Sequence, residues 1–585
     1  MTAKWRTALA GLAIAASLVG CTATQGTTGP GGASSGSAQA AVASTSASAA
    51  AVLAENKSSH YKASDLDYDA SSVVTVTLSG SSASASGSGV STDGSTVTIT
   101  TPGTYKISGQ LTDGRIVVNS TASGQVRLIL DGADITSSTG PAIDIEAADE
   151  ADVIVADGSS NKLTDGQGYD TSADGAPNAA LYSAADLTIA GQGSLSVDGR
   201  TNDAIASTDG LVIVSGTITA TAVDDGIRGK DYVIVEGGTT AINSGGDGLK
   251  SDNSEDTTRG YVDIQDGSIT INASSGDGVD ATTDVVQTGG TLKVTAGGGS
   301  GATPSEAADA PSTKGIKSGV HLAISAGDDT IDSSDDSLHS NDTVQIDGGT
   351  LALTSGDDGM HADNALTVTN GTATIATSYE GVESNAITVS GGTLEVTSSD
   401  DGMNASDGSG ESDGMAAEAQ TGSGSTLTIS GGTLTVNAAG DGLDSNGSMT
   451  ISGGTIVVNG PTNSGNGALD TGGSLLVSGG TLFAAGSSGM AESPDADSSQ
   501  AWIQSAVSAS AGQKITILDA SGTTIAEYTV TKATQNVVFS SSAITSGDSY
   551  QVSVGGAAAT TVTAGQSTGG TGGGDGAGMG GGGPR

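Results

Sequence analysis

The segment Ser355–Asp363, SGDDGMHAD, holds two adjacent aspartates, a glycine, a methionine, a histidine and a further aspartate. Close relatives of it recur along the chain. Asp224 and Asp225, Asp247, Asp277, Asp335 and Asp336, Asp357 and Asp358, Asp400 and Asp401, and Asp441 each precede an apolar residue by two or three positions. Asp252, Asp280, Asp363 and Asp444 follow that residue. Carboxylates gathered at short distance repel one another, and their pKa values rise unless something compensates. A hard divalent cation is one remedy: calcium takes six to eight oxygens and tolerates irregular geometry. These aspartates are therefore candidate calcium ligands. Each could equally shape a turn by accepting backbone N–H groups.

The position directly after the apolar residue reads Arg228, Lys250, Asp280, Lys317, His339, His361, Glu383, Asn404, Asp444. Much of the small basic supply of the chain lies there. One reading is a solvated charged edge with local pairing. The other is a groove in which Arg228, Lys250, Lys317, His339 and His361, with bound calcium, hold an anionic sugar chain. No Ser or Cys pattern accompanies His321, His339 and His361, so nucleophilic catalysis finds no support.

Distant aspartates can act together only if the fold stacks them. The apolar markers Ile316, Leu338, Met360 and Val382 are spaced by 22, as are Ile205, Ile227 and Leu249. Between them the same phrase returns: VQIDGGTLALTSGDDGM, ITVSGGTLEVTSSDDGM, LTISGGTLTVNAAGDGL. Period-2 alternation turns Val344, Ile346, Leu351 and Leu353 inward and their neighbours outward. Three short strands cannot close a core alone, but stacked coils bury their side chains in columns about 4.8 Å apart. The expected fold is all-β, a right-handed parallel β-helix of about 22 residues per coil, with Thr350, Thr393, Thr433, Thr455 and Thr481 aligned after one corner. Insertions at 251–260, 296–313 and 405–426 are expected to flank the acidic edge. A β-propeller blade needs about 40 residues, and the nonapeptides of a repeat-in-toxin calcium solenoid are absent.

Composition supports this. The 585 residues carry 65 Asp+Glu against 19 Lys+Arg, a formal net charge of −46, with 93 Gly and 2% aromatics. Collagen needs abundant Pro, and there are 9. Nucleic acid is excluded as a partner, because a phosphate backbone needs Lys and Arg to displace its counterions.

The N-terminal run MTAKWRTALAGLAIAASLVGC has a basic start, a short apolar stretch and small residues, which is an export signal. Leu18-Val19-Gly20-Cys21 resembles the bacterial lipobox, and Cys21 is the chain's single cysteine. Cys21 is expected to carry the lipid that anchors the protein at the extracellular face of the cell membrane. The expected organisation is a signal peptide over 1–21, a flexible Ser/Ala/Gly tether over 22–60, an N-terminal cap and early coils over 61–200, regular coils over 201–490, a C-terminal β cap over 491–565 and a disordered Gly-rich tail over 566–585. The membrane is met only through the anchor, and a monomer is expected.

Several stretches resemble one bacterial family, the carbohydrate-binding parallel β-helix proteins: PGTYKISGQLTDGRIVVN at 102–119, VRLILDGADI at 126–135, NKLTDG at 161–166, DGLKSD at 247–252, the recurring SGGTL, and GSSGM at 486–490. The resemblance covers roughly residues 65–560. It implies a calcium-containing β-helix that binds plant cell-wall polysaccharide, cellulose or polygalacturonate-type chains, with calcium among the aspartates named above. Flat neutral glucans are held on exposed aromatic platforms, and Tyr232, Tyr261 and Tyr379 form no obvious row. An acidic polysaccharide bridged by calcium suits the residues better. The expected protein is thus a polysaccharide-binding lipoprotein and not an enzyme. A calcium-dependent pectate-type lyase, using Arg228 or Lys250 as base, is one alternative. A non-sugar adhesin or structural surface protein is the other.

Overall fold

The computed structural model describes residues 46–173, 175–302, 311–407 and 424–567. These residues are all-β apart from a short α-helix and two 3-10 turns. Most strands belong to one 46-stranded, mostly parallel sheet, and four more form a separate antiparallel sheet. The three strands of a repeat each pair with their counterparts a repeat away. Ile316–Ser318 pairs parallel with Leu338–Ser340, His321–Ile324 with Thr343–Ile346, and Asp328–Ser333 with Thr350–Ser355. Asp336 and Asp358, 22 residues apart, thereby become neighbours. Elsewhere insertions lengthen the step, to 30 residues between Asp247 and Asp277 and 40 between Asp401 and Asp441.

Alternation explains why register is kept. A slip of one residue would turn every apolar side chain to water. Val344, Ile346, Leu351 and Leu353 are at most 1% exposed. Leu322, Val344, Leu366, Ile387, Leu427, Met449 and Leu475 form one continuous in-register column. Each buried aliphatic side chain contributes about 1.5–3 kcal/mol. The threonine ladder runs Thr350, Thr372, Thr393, Thr433, Thr455, Thr481. The glycine that precedes most apolar markers fits tightly: a Cβ at Gly381 would lie 2.2 Å from Val396 Cγ1 and 2.3 Å from Gly402 O.

The last parallel strand of the stack, Thr481–Gly486, is covered by Thr534–Ser540, which pairs with it antiparallel. This closes an edge that would otherwise template further chains. Phe483 stacks on Tyr528 at 4.1 Å between ring centroids, joining the covering sheet to the stack.

The expected tether over 22–60 is corrected in its second half. Residues 22–45, with Cys21, lie outside the described residues. Residues 46–65 form a strap along the outside of the stack. Ala49–Glu55 is a helix, and its Ala49 and Val52 are buried against Val286 and Ala323. Ser46 Oγ bonds Thr367 Oγ1 at 2.8 Å, Asn56 Nδ2 donates to Asp284 at 2.7 Å, and the Tyr261 hydroxyl donates to Lys57 O at 2.6 Å. His60 bonds the Tyr232 and Thr188 hydroxyls at 2.8 and 3.0 Å, and Arg127 donates to Asp65 O. Alanine and leucine favour a helix, and a matching apolar patch on the sheet gives this one something to bury against.

V52D tests the strap. Burying an unpaired carboxylate costs well over the ~1.4 kcal/mol of a tenfold change. Trypsin should therefore cleave at Lys57 and Lys62 at least ~10-fold faster in the variant than in the wild type, while the stack stays resistant.

Candidate functional site

Parallel pairing sets two columns side by side on one edge of the stack. The first is a ladder of carboxylates. Asp203 Oδ1 accepts the N–H of Asp225 at 3.2 Å, Asp225 that of Asp247 at 2.9 Å, and Asp247 that of Asp277 at 2.7 Å. Asp277 accepts from Lys314 N at 2.7 Å, Asp336 from Asp358 N at 3.0 Å, and Asp401 from Asp441 N at 2.6 Å. Asp441 accepts from Gly467 N. In the paired aspartates the second, 225, 336, 358 and 401, sits in this ladder; the first, 224, 335, 357 and 400, stands farther out. The turn-forming and ion-binding readings of these residues therefore coexist. One carboxylate oxygen serves the backbone and the other faces the second column.

That second column is the position after the apolar marker. Pairing places Ala206, Arg228, Lys250, Asp280, Lys317, His339, His361, Glu383, Asn404, Asp444 and Asp470 in a single register. Its basic members are engaged with the ladder. Lys250 Nζ lies 2.6 Å from Asp247 and 3.2 Å from Asp225. Lys317 Nζ lies 3.3 Å from Asp277 and 3.2 Å from Asp280. Arg228 pairs with Asp252 and stands 3.9 Å from Asp203. His339 Nδ1 is 2.8 Å from Asp336. His361 Nδ1 is 3.0 Å from Asp358 and 3.1 Å from Glu383, and its Nε2 is 3.3 Å from Asp363. The positive charge expected to meet a sugar is thus spent largely within the protein.

Three members escaped the sequence reading. Lys314 occupies a ladder slot usually held by aspartate, and its Nζ reaches Asp335 at 2.9 Å and Asp336 at 2.6 Å. Glu380 fills the same slot three repeats on, and Asp203 fills it at the start. Aligning the residue two positions before each marker would have found all of them. The 251–260 insertion does not simply flank the acidic edge. It leads from Asp252, against Arg228, across to the strap, where Thr258 O accepts the Lys57 N–H at 2.8 Å. Residues 303–310 and 408–423 of the other two insertions lie outside the described residues.

The edge changes character at His361. Between Lys317 and Lys514 the sequence has no Lys or Arg. Among the described residues, no ion pair reaches Glu380, Asp401, Asp441 or Asp444. Burial first, and neighbouring carboxylates second, push Asp401 up to about 7, Asp441 to about 8, Asp444 to about 9 and Glu380 to about 10. In the earlier half the cations restrain this at some positions: burial raises Asp225 and Asp277 only to about 6, with Lys250 and Lys317 opposing, whereas burial still holds Asp203 and Asp358 well above the usual range. At Asp336 burial is outweighed by His339 and Lys314, which hold the carboxyl well below its usual range.

Calcium can be tested against this geometry. Asp203, Asp224 and Asp225 bring carboxylate oxygens within 4.8 Å of one another, as do Asp247, Asp277 and Asp280, and Asp335, Asp336 and Asp357. Lysine already occupies the last two sets. The carboxyls of the later half, where the sequence supplies no lysine or arginine, offer only oxygen donors, the kind a hard ion takes.

Comparison with known proteins places the chain. Residues 93–359 match the family model described as carbohydrate-binding domain-containing protein. A carbohydrate-binding domain-containing protein of Acetivibrio thermocellus is 41% identical over 204 residues, which is 34% of this chain and 71% of that relative. The chain belongs to the carbohydrate-binding domain-containing protein family. A solved structure, of the polysaccharide lyase-like protein from C. thermocellum as a gadolinium derivative, is 33% identical and covers 43% of this family member and 96% of that chain, with a TM-score of 0.39.

The raised carboxyls predict an inverted pH profile for this family member. A carboxyl whose folded pKa lies above its unfolded one stabilises the fold below the unfolded value, and that contribution is lost as pH rises through the folded value. In chelator, the melting midpoint should fall as pH rises from 5 to 10, most steeply below about 7, where Asp401, Asp441, Asp444 and Glu380 are ionised in the unfolded chain and still protonated in the fold, and less steeply above it as each of them ionises. Calcium should remove most of the fall. A midpoint flat across this range in chelator would contradict the assignment.

Proposed function

We propose that this protein binds plant cell-wall polysaccharide, acidic chains of the polygalacturonate type above all, along the carboxylate edge, with calcium bridging protein and glycan. The observation that carries this reading is the run from Asp401 to Asp444, where buried carboxyls gather on the edge and the sequence supplies no lysine or arginine between Lys317 and Lys514. A divalent ion shared with a uronate supplies the missing charge and leaves open coordination positions for the sugar. Family membership supports a carbohydrate ligand.

In this reading the chain winds as a right-handed parallel β-helix of about 22 residues per coil, capped at both ends. It is held by a lipid on Cys21 at the outer face of the cell membrane, as a monomer. The cation-bearing half, Arg228 to His361, gives a partly charge-compensated polar surface that hydrogen-bonds the glycan. The ion-bridged half gives affinity for the acidic groups.

Binding without catalysis is favoured by the state of the candidate bases. Burial opposes the charge on Lys250, but Asp247 and Asp225 outweigh it and hold the ammonium above the ordinary lysine range. Arg228 is engaged with Asp252. Neither is poised to take a proton.

Pull-down on polygalacturonate with and without chelator tests the reading. Calcium should be needed for retention, D441N and D444N should each weaken it at least ~10-fold, one ligand's share of a coordination set, and no unsaturated product absorbing in the near ultraviolet should be released. Equal retention with and without chelator removes the calcium bridge.

A further inference from the structure

The boundary between the two halves of the edge holds a second kind of donor. His339 and His361 are register neighbours on parallel strands, and their rings stack at 4.9 Å with planes 21° apart. Both present Nδ1 to the carboxylate ladder, at 2.8 Å from Asp336 and 3.0 Å from Asp358. Both also have an acceptor at Nε2: Asn341 Oδ1 at 2.9 Å for His339 and Asp363 Oδ1 at 3.3 Å for His361. An acceptor behind Nε2 keeps a hydrogen there and leaves Nδ1 as the nitrogen that an ion can take in place of its proton, as the outer partners of metal-binding histidines do. His321, by contrast, meets only the Thr343 hydroxyl through Nδ1.

We propose that His339 and His361, with the Asp336 carboxylate, form a site for a borderline divalent transition ion of the zinc class, separate from the all-oxygen edge that suits calcium. One ligand atom from each of the three lies within 4.8 Å of the others, so a single ion can reach all of them after small side-chain rotations. Lys314 Nζ, 2.6 Å from Asp336, is the outer partner that keeps this carboxylate ionised and oriented. Glu383, 3.1 Å from His361 Nδ1, stands ready as a further oxygen donor. The rings are 13% and 23% exposed at the side chain, so the ion has a path from solvent. A histidine ligates as the neutral ring, so the proton that each Nδ1 donates to its carboxylate leaves to water when the ion takes its place. Imidazole suits zinc, copper and nickel, whereas calcium takes oxygen ligands.

Cobalt(II) titration of the full chain, followed by visible absorption, tests the site. The ion should give the intensified bands of mixed nitrogen and oxygen coordination. Zinc should displace it and excess calcium should not. H339Q and H361Q should each weaken binding at least ~10-fold, because loss of even an outer partner typically has that effect, while D441N should leave it unchanged. Cobalt bands absent, insensitive to both histidine variants, or lost to calcium as readily as to zinc, would overturn the proposal. Should the variants fail to fold, nitrogen-15 histidine spectra of the wild type decide. Of the four histidines, the ring nitrogens of His339 and His361 alone should shift with zinc, and unshifted ones overturn it. Neither polygalacturonate nor calcium-dependent retention enters this readout, so its failure leaves the glycan-binding reading standing.

Discussion

Parallel register is the constraint from which the rest follows. Neighbouring strands lie about 4.8 Å apart, so a residue type repeated at one position becomes a column at that spacing. Apolar residues profit, because each buries its neighbour. Carboxylates do not, and the chain places them there repeatedly. The ladder from Asp203 to Asp277 is one physical answer. Each carboxylate takes a backbone N–H from the next repeat, which satisfies a donor at the turn and favours the ionised form.

A hydrogen bond does not cancel the charge, and the two halves of the edge deal with that remainder differently. From Asp203 to Asp358 the basic side chains Arg228, Lys250, Lys314, Lys317, His339 and His361 pair with carboxylates of their own or a neighbouring repeat. Beyond His361 the sequence supplies none until the C-terminal cap, where Lys532 donates to Ala438 O. Buried acids there keep their protons instead. In the proposed reading, a cation from solution completes in this half what lysine completes in the other.

Much of this was legible in the sequence because it is periodic. The markers, the alternation and the column after each marker depend on spacing alone, and pairing such as Lys317 with His339 and His361 with Glu383 follows that spacing. What spacing could not reveal was partnership. Arg228 and Lys250 read as groups free to meet a ligand, yet side-chain reach turns them onto Asp252 and Asp247. Lys314 and Glu380 were hidden because they break the residue type of the ladder while keeping its position. The strap was hidden for another reason. Ala49–Glu55 has the composition of a linker, and only the apolar pair Val286 and Ala323 on a distant strand pair, buried beneath it, makes it a docked helix.

The central claim is that the later half of the edge is completed by calcium. Anomalous diffraction from crystals grown in calcium addresses it most directly, since the signal locates the ion without reference to any assay. The account predicts peaks within about 2.6 Å of carboxylate oxygens among Glu380, Asp401, Asp441 and Asp444. Peaks confined to the lysine-bearing half, or none along the edge, would contradict it.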